Sequence, residues 1–118
     1  MVDLEVIQEN IINLIAYDNI FLDELPSYFD FVNNIGIVAK IGDSIQDNTY
    51  RDDLTLELRL VGTKNKKINM QRLAMELETK LNKTYFNDCR IIKQNAFYSS
   101  YIDEDKQNIV LQFYILNY

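Results

Sequence analysis

The sequence predicts an α+β domain: a mainly antiparallel sheet of about four to five strands, with two main helices packed on one face. Three observations predict it. Apolar residues recur at helical spacing in two separated segments, and they alternate at strand spacing in others. The segments follow one another as helix, strand, strand, helix, strand, strand. Of the 118 residues, 47% are hydrophobic, which suits one domain with one core. Residues 1–118 read as that single domain, without repeats, low-complexity tracts or linkers.

The first helix is predicted over about 3–17. Asp3 is its expected N-cap, since a carboxylate accepts from the unpaired amides of a first turn. Leu4, Ile7, Ile11, Leu14 and Ile15 share one face, and Glu5, Glu9 and Asn13 the other. "DNIFLDELPSYFDFVNN" follows, with the only proline, Pro26. Its aromatics, Phe21, Tyr28, Phe29 and Phe31, are too irregular for a helix or strand, so it reads as an ordered connection with at most one helical turn. "IGIVAKIG", residues 35–42, is rich in β-branched residues and reads as a strand. "DSIQDNTYRDD" reads as a long polar loop.

"LTLELRLV", residues 54–61, alternates strictly. Leu54, Leu56, Leu58 and Leu60 form one face, and the other carries Glu57 and Arg59. "GTKNKK" reads as a basic turn, and a second helix follows over about 69–81 with Asn69 as its expected N-cap. Leu73, Leu77 and Leu81 mark its apolar stripe, widened by Met70 and Ala74. The last third reads as a hairpin, with strands over about 90–101 and 109–118. Its turn, "DEDKQN", contains no glycine, so a tight two-residue loop is not expected. In the final strand Ile109, Leu111, Phe113 and Ile115 alternate with Val110, Gln112, Tyr114, Leu116 and Tyr118, so both faces are apolar. A half-exposed strand alternates apolar with polar. Helices can cover one face. The second face needs another cover, either a neighbouring subunit or the segment from Phe21 to Phe31 folded across it.

Composition narrows the function classes. The net charge is −6, and an acidic chain does not wrap nucleic acid through counterion release. There is no histidine, which removes the commonest general base and zinc ligand. The single cysteine, Cys89, cannot form an internal disulfide. The N-terminal segment lacks the basic and uninterrupted apolar regions of a signal peptide, and no stretch has the roughly 18 apolar residues of a membrane span. A soluble protein is expected.

Three patterns bear on chemistry. An acid at Asp43 or Asp53 with Glu57-Leu58-Arg59 is similar to the acid plus Glu-x-Lys of metal-dependent nucleases. Arginine holds its proton too tightly for the activating role, and a cross-strand charge pair explains the same residues. The loop with Asp43, Asp47, Asn48, Asp52 and Asp53 lacks the spacing and central glycine of an EF-hand, so it reads as solvated rather than as a calcium site. Lys64, Lys66, Lys67 and Arg72 precede or open a helix but lack a phosphate-cradling glycine pattern. They read as a solubilising turn or a complement to an acidic neighbour. No catalytic residue, metal site or cofactor is expected. The eight tyrosines suit packing or an interface more than base stacking.

The arrangement resembles the tail terminator (tail completion, or minor capsid) proteins of tailed bacteriophages and of phage-tail-like bacteriocins. The resemblance rests on the amphipathic N-terminal helix and the strand ending in "VAKIGD" before a polar loop. It continues through "LTLELRLVGTKNKKINMQRLAMELETKLN" and the hairpin "YIDEDKQNIVLQFYILNY". It implies a structural, non-enzymatic protein that forms a homohexameric ring at the head–tail junction of the virion, after assembly in the host cytoplasm. Such a ring seats on the tail tube protein, stops its polymerisation and gives the neck or head-completion protein a docking surface. DNA passes through the channel without specific binding. On this reading Glu57, Arg59, Lys64, Lys66, Lys67, Tyr98, Tyr101, Tyr114, Leu116 and Tyr118 are candidate subunit or tube contacts. Asp43, Asp47, Asp52 and Asp53 are candidate channel-facing acids. Another head–tail connection protein is the alternative, and a Mg²⁺-dependent nuclease the weaker one.

Overall fold

The computed structural model describes residues 4–42, 54–86 and 89–117. It is an α+β fold in two layers. Six strands form one sheet in the order β1-β2-β3-β6-β5-β4: β1 (Ile20–Leu22), β2 (Gly36–Ile41), β3 (Leu54–Thr63), β4 (Tyr85–Phe86), β5 (Cys89–Asp103) and β6 (Lys106–Asn117). Two helices, α1 (Leu4–Ile15) and α2 (Lys67–Leu81), pack on one face. Every strand pair is antiparallel except β1 with β2. The additions to the expected sheet are its two short edges, β1 and β4.

The core lies between helices and sheet because the two periodicities meet there. Leu54, Leu56, Leu58 and Leu60 of β3 and Ile109, Leu111, Phe113 and Ile115 of β6 are buried. The β3–β6 register places Leu56 opposite Phe113 and Leu58 opposite Leu111, so both apolar sets face one way. Ile7, Ile11 and Ile15 of α1 and Met70, Ala74, Leu77 and Leu81 of α2 close the other side. Each fully buried side chain of this size contributes about 1.5–3 kcal/mol of transfer free energy. Tyr17, just past α1, donates its hydroxyl to the Ile35 carbonyl at 3.0 Å. Lys80 Nζ donates to the Ile15 carbonyl at 2.9 Å, which ties α2 to the end of α1.

The structure corrects four local expectations. The segment after α1 contains a strand: Ile20, Phe21 and Leu22 pair with Ile37, Val38 and Ala39. Parallel pairing needs a crossover of about a dozen residues, and the aromatic connection between Leu22 and Gly36 is that crossover. "GTKNKK" is not a simple turn, because β3 runs through Thr63 and a 3-10 turn, Lys64–Lys66, leads directly into α2. Helix α2 therefore begins at Lys67, with Lys66 at the cap position and no side-chain cap bond, so Asn69 is not its N-cap. The hairpin turn is tight despite lacking glycine. Asp103 pairs with Lys106, and Glu104 and Asp105 take φ of 49° and 62°. Positive φ at both central residues is the mark of a primed hairpin turn. The long ladder on both sides holds them there against local preference.

The expected cap residue Asp3 and the loop 43–53 lie outside the described residues. Among the described residues, no helix is long and apolar enough to cross a membrane.

Candidate functional site: the outer face of the sheet

The sheet face turned away from the helices carries Glu57 and Arg59 of β3 and Val110, Gln112, Tyr114 and Leu116 of β6. It divides into two regions. At one end the crossover covers it. A β-carbon on Gly36 would lie 2.7 Å from Leu25 Cδ2 and 3.1 Å from Phe29 Cζ, so the crossover side chains pack directly against the backbone there and would have to shift for any larger residue. Phe29 meets Phe21 and Phe31 edge to face, with centroids 5.8 and 4.9 Å apart. Val38 and Val61, on this same face, are buried.

Electrostatic contacts fasten the crossover. Lys66 Nζ donates to the Phe31 carbonyl at 2.8 Å and also to the Val32 carbonyl. The Lys106 ammonium sits 5.1 Å from the centre of the Phe31 ring. Asp30 accepts from the backbone amides of Val32 at 3.0 Å and Asn33 at 3.3 Å, and from the Asn33 side chain at 2.9 Å. The Asn33 side-chain bond is the main reason the Asp30 carboxyl is held below its ordinary pKa, with the backbone bonds and nearby Lys66 acting the same way.

Between the crossover and the β5–β6 hairpin lies a cleft of about 350 Å³, lined by Leu25, Phe31, Arg59, Val61, Asp103, Glu104, Lys106 and Asn108. Arg59 reaches it from between Val38 and Val110, its neighbours on the flanking strands. Its Nε is buried without a hydrogen-bond partner. A buried donor left unpaired on a charged group is costly.

The other region has no described element over it. Thr55, Glu57, Gln112, Tyr114, Leu116 and Ile92 are half-buried there. Glu57 lies opposite Lys40 on one side and Gln112 on the other. Arg90, opposite Leu116, lies 5.1 Å from the Tyr85 ring centre, and its Nε is also buried without a partner.

The structure brings some of the predicted site residues together and separates others. Glu57, Arg59, Tyr114 and Leu116 share the outer face, and Tyr101 joins them through its pairing with Asn108. Tyr98 pairs with core-facing Leu111 and so projects to the helix side, away from Tyr101. The lysines have separate environments. Lys64 makes a 3.7 Å ion pair with Asp105 of the hairpin turn, Lys66 is committed to the crossover, and Lys67 is exposed. Tyr118, Asp43, Asp47, Asp52 and Asp53 lie outside the described residues. Among the described residues, no three of Cys, Asp and Glu gather into a group able to hold a metal ion. The sequence reading missed Lys106, Asn108 and Arg90 as members of this face. Strand alternation could have placed them, but only once the hairpin register was known.

Comparison with models of known protein families finds no match, and comparison with curated proteins finds none either.

Proposed function

We propose that this chain is a structural assembly protein of a tailed phage, prophage or phage-tail-like particle. It forms a ring on the end of the tail tube, terminates tube polymerisation and offers a docking surface to the neck at the head–tail junction. The resemblance drawn from the sequence motivates this reading. The observation that carries it is the outer sheet face beyond the crossover, where no described element lies over the half-buried Tyr114, Leu116 and Ile92 and where Glu57 and Arg90 stand among them. Apolar and aromatic side chains interleaved with charged ones are the composition of a surface that meets another protein. In a closed ring, one subunit's acid can satisfy its neighbour's arginine.

The test mixes the purified chain with its tail tube protein and follows assembly by light scattering and negative-stain imaging. The expected result is a ring on tube ends and tubes of limited length. Arg59→Glu abolishes the ring while leaving the monomer folded. A chain that stays monomeric and leaves tube growth unchanged in the mixture overturns the proposal. Docking to a portal or connector in place of the tube would assign it to another head–tail connection role. Mg²⁺-dependent DNA cleavage lost in Glu57→Gln would make it a nuclease.

A further inference from the structure

Among the described residues, the outer edge of β5 beyond its register shift has no partner strand. Near its start this strand is covered. Lys83 N donates to the Ile91 carbonyl, Ile91 N donates to the Thr84 carbonyl, and Lys93 N donates to Asn82 Oδ1. Strand β4 pairs only with Cys89 and Arg90. Beyond the register shift between Lys93 and Tyr98, β5 continues to Asp103 paired with β6 on one side. No described segment pairs with its other side there. Open sheet edges are ordinarily protected by charged side chains, proline, a bulge, a cover or brevity, and here the protection lies at the two ends, in the register shift before Tyr98 and the charge of Asp103. This one has neither lysine nor proline from Tyr98 to Asp103, and it exposes Tyr98, Tyr101 and Ile102 by 45%, 42% and 58%. Unpaired amides and carbonyls of an extended strand are complemented by another extended strand.

We propose that two copies of this chain join edge to edge through antiparallel β5 strands, with Ser100 of each copy on the two-fold axis. Side chains opposite one another in an antiparallel pair share a face, so only residues of the same parity can meet. Centring on Ser100 sets Tyr98 opposite Ile102 on the helix side, and Ser99 opposite Tyr101 on the outer side. Every exposed apolar side chain of the edge then gains a cross-strand neighbour, and no charge meets its own kind. The terminal strands of the sheet, β1 and β4, have only three and two residues, too short to match this length. The contact is isologous, unlike a head-to-tail ring contact, so it joins single chains or whole rings alike and stands independently of the ring.

Cysteine scanning tests the register. Paired Cα atoms directly opposite in such a ladder lie about 4.5–5.5 Å apart, within disulfide range. Under mild oxidation Ser100→Cys should cross-link two chains rapidly, while Ser99→Cys, displaced from the axis, should cross-link at least about ten-fold more slowly. Ser100→Lys sets two ammonium groups face to face. It should halve the apparent mass in light scattering while leaving the circular dichroism spectrum and melting cooperativity unchanged. Equal cross-linking at the two serines, or an unchanged mass in a folded Ser100→Lys variant, overturns the proposal. Loss of the ring in Arg59→Glu with cross-linking at Ser100 retained separates the two readings.

Discussion

Lys66 shows how one side chain decides what a segment does. From sequence it is one of four cations available to a partner. In the fold it reaches back to the Phe31 and Val32 carbonyls, over thirty residues earlier in the chain, and so holds the aromatic crossover on the sheet. Charge-assisted bonds to partly buried carbonyls exceed neutral ones in strength. Lys66→Ala should therefore cost about 1–3 kcal/mol in urea unfolding, whereas Lys67→Ala, at an exposed position, should change stability by less than about 0.5 kcal/mol. Asp30 acts at the same segment through its charge. Its folded pKa is depressed, mainly by the Asn33 side-chain bond. Its contribution is therefore present above the ordinary carboxylate pKa and is lost as pH falls through the depressed value. Thermal melts of the wild type and Asp30→Asn should differ at neutral pH and converge as the solution is acidified through that value.

Among the elements, the β5–β6 hairpin is the one whose turn opposes its strands. Glu104 and Asp105 both occupy the left-handed region, which costs an ordinary side chain about 1–2 kcal/mol. The ladder from Asp103↔Lys106 back to Tyr98↔Leu111 offsets that cost. Replacing the pair with Asn-Gly should relieve it and raise stability by about 1 kcal/mol in chemical denaturation, with the hairpin register unchanged. A fall in stability would mean that the Lys64–Asp105 ion pair matters more than the backbone. At 3.7 Å between exposed partners, that pair is expected to contribute little. Helix α2 presents the opposite case. It has no side-chain cap bond at its N-terminus, and the burial of Met70, Ala74, Leu77 and Leu81 holds it in place.

At the scale of the whole molecule, the helices account for one face of the sheet and the crossover for part of the other. The remaining outer surface and the β5 edge, which no described segment pairs, are separate features. The surface is polar-rimmed and half-buried, which suits a charged head-to-tail contact. The edge offers backbone hydrogen bonds, which suit strand addition. Arg59→Glu and Ser100→Lys address them independently, since the two residues lie on different strands and different faces.

The layer plan was legible in the periodicity of the chain. Leucine alternation from Leu54 to Leu60, the isoleucine stripe of α1 and the stripe of α2 identify the core, because burial depends on periodicity within each segment. Two apolar faces on β6 likewise announced that the sheet needs a second cover. Other features were decided by partners distant in the chain. Phe21 became part of a strand only because Val38 lies beside it. The glycine-free turn closed in two residues only because the ladder beyond it demanded that register. Lys66 joined the crossover through contacts over thirty residues away, whereas Tyr98 and Tyr101 part by strand alternation alone. Local pattern records which side chains need burial. Which backbone pairs with which, and therefore what shares a face, follows from the free energy of the assembled sheet.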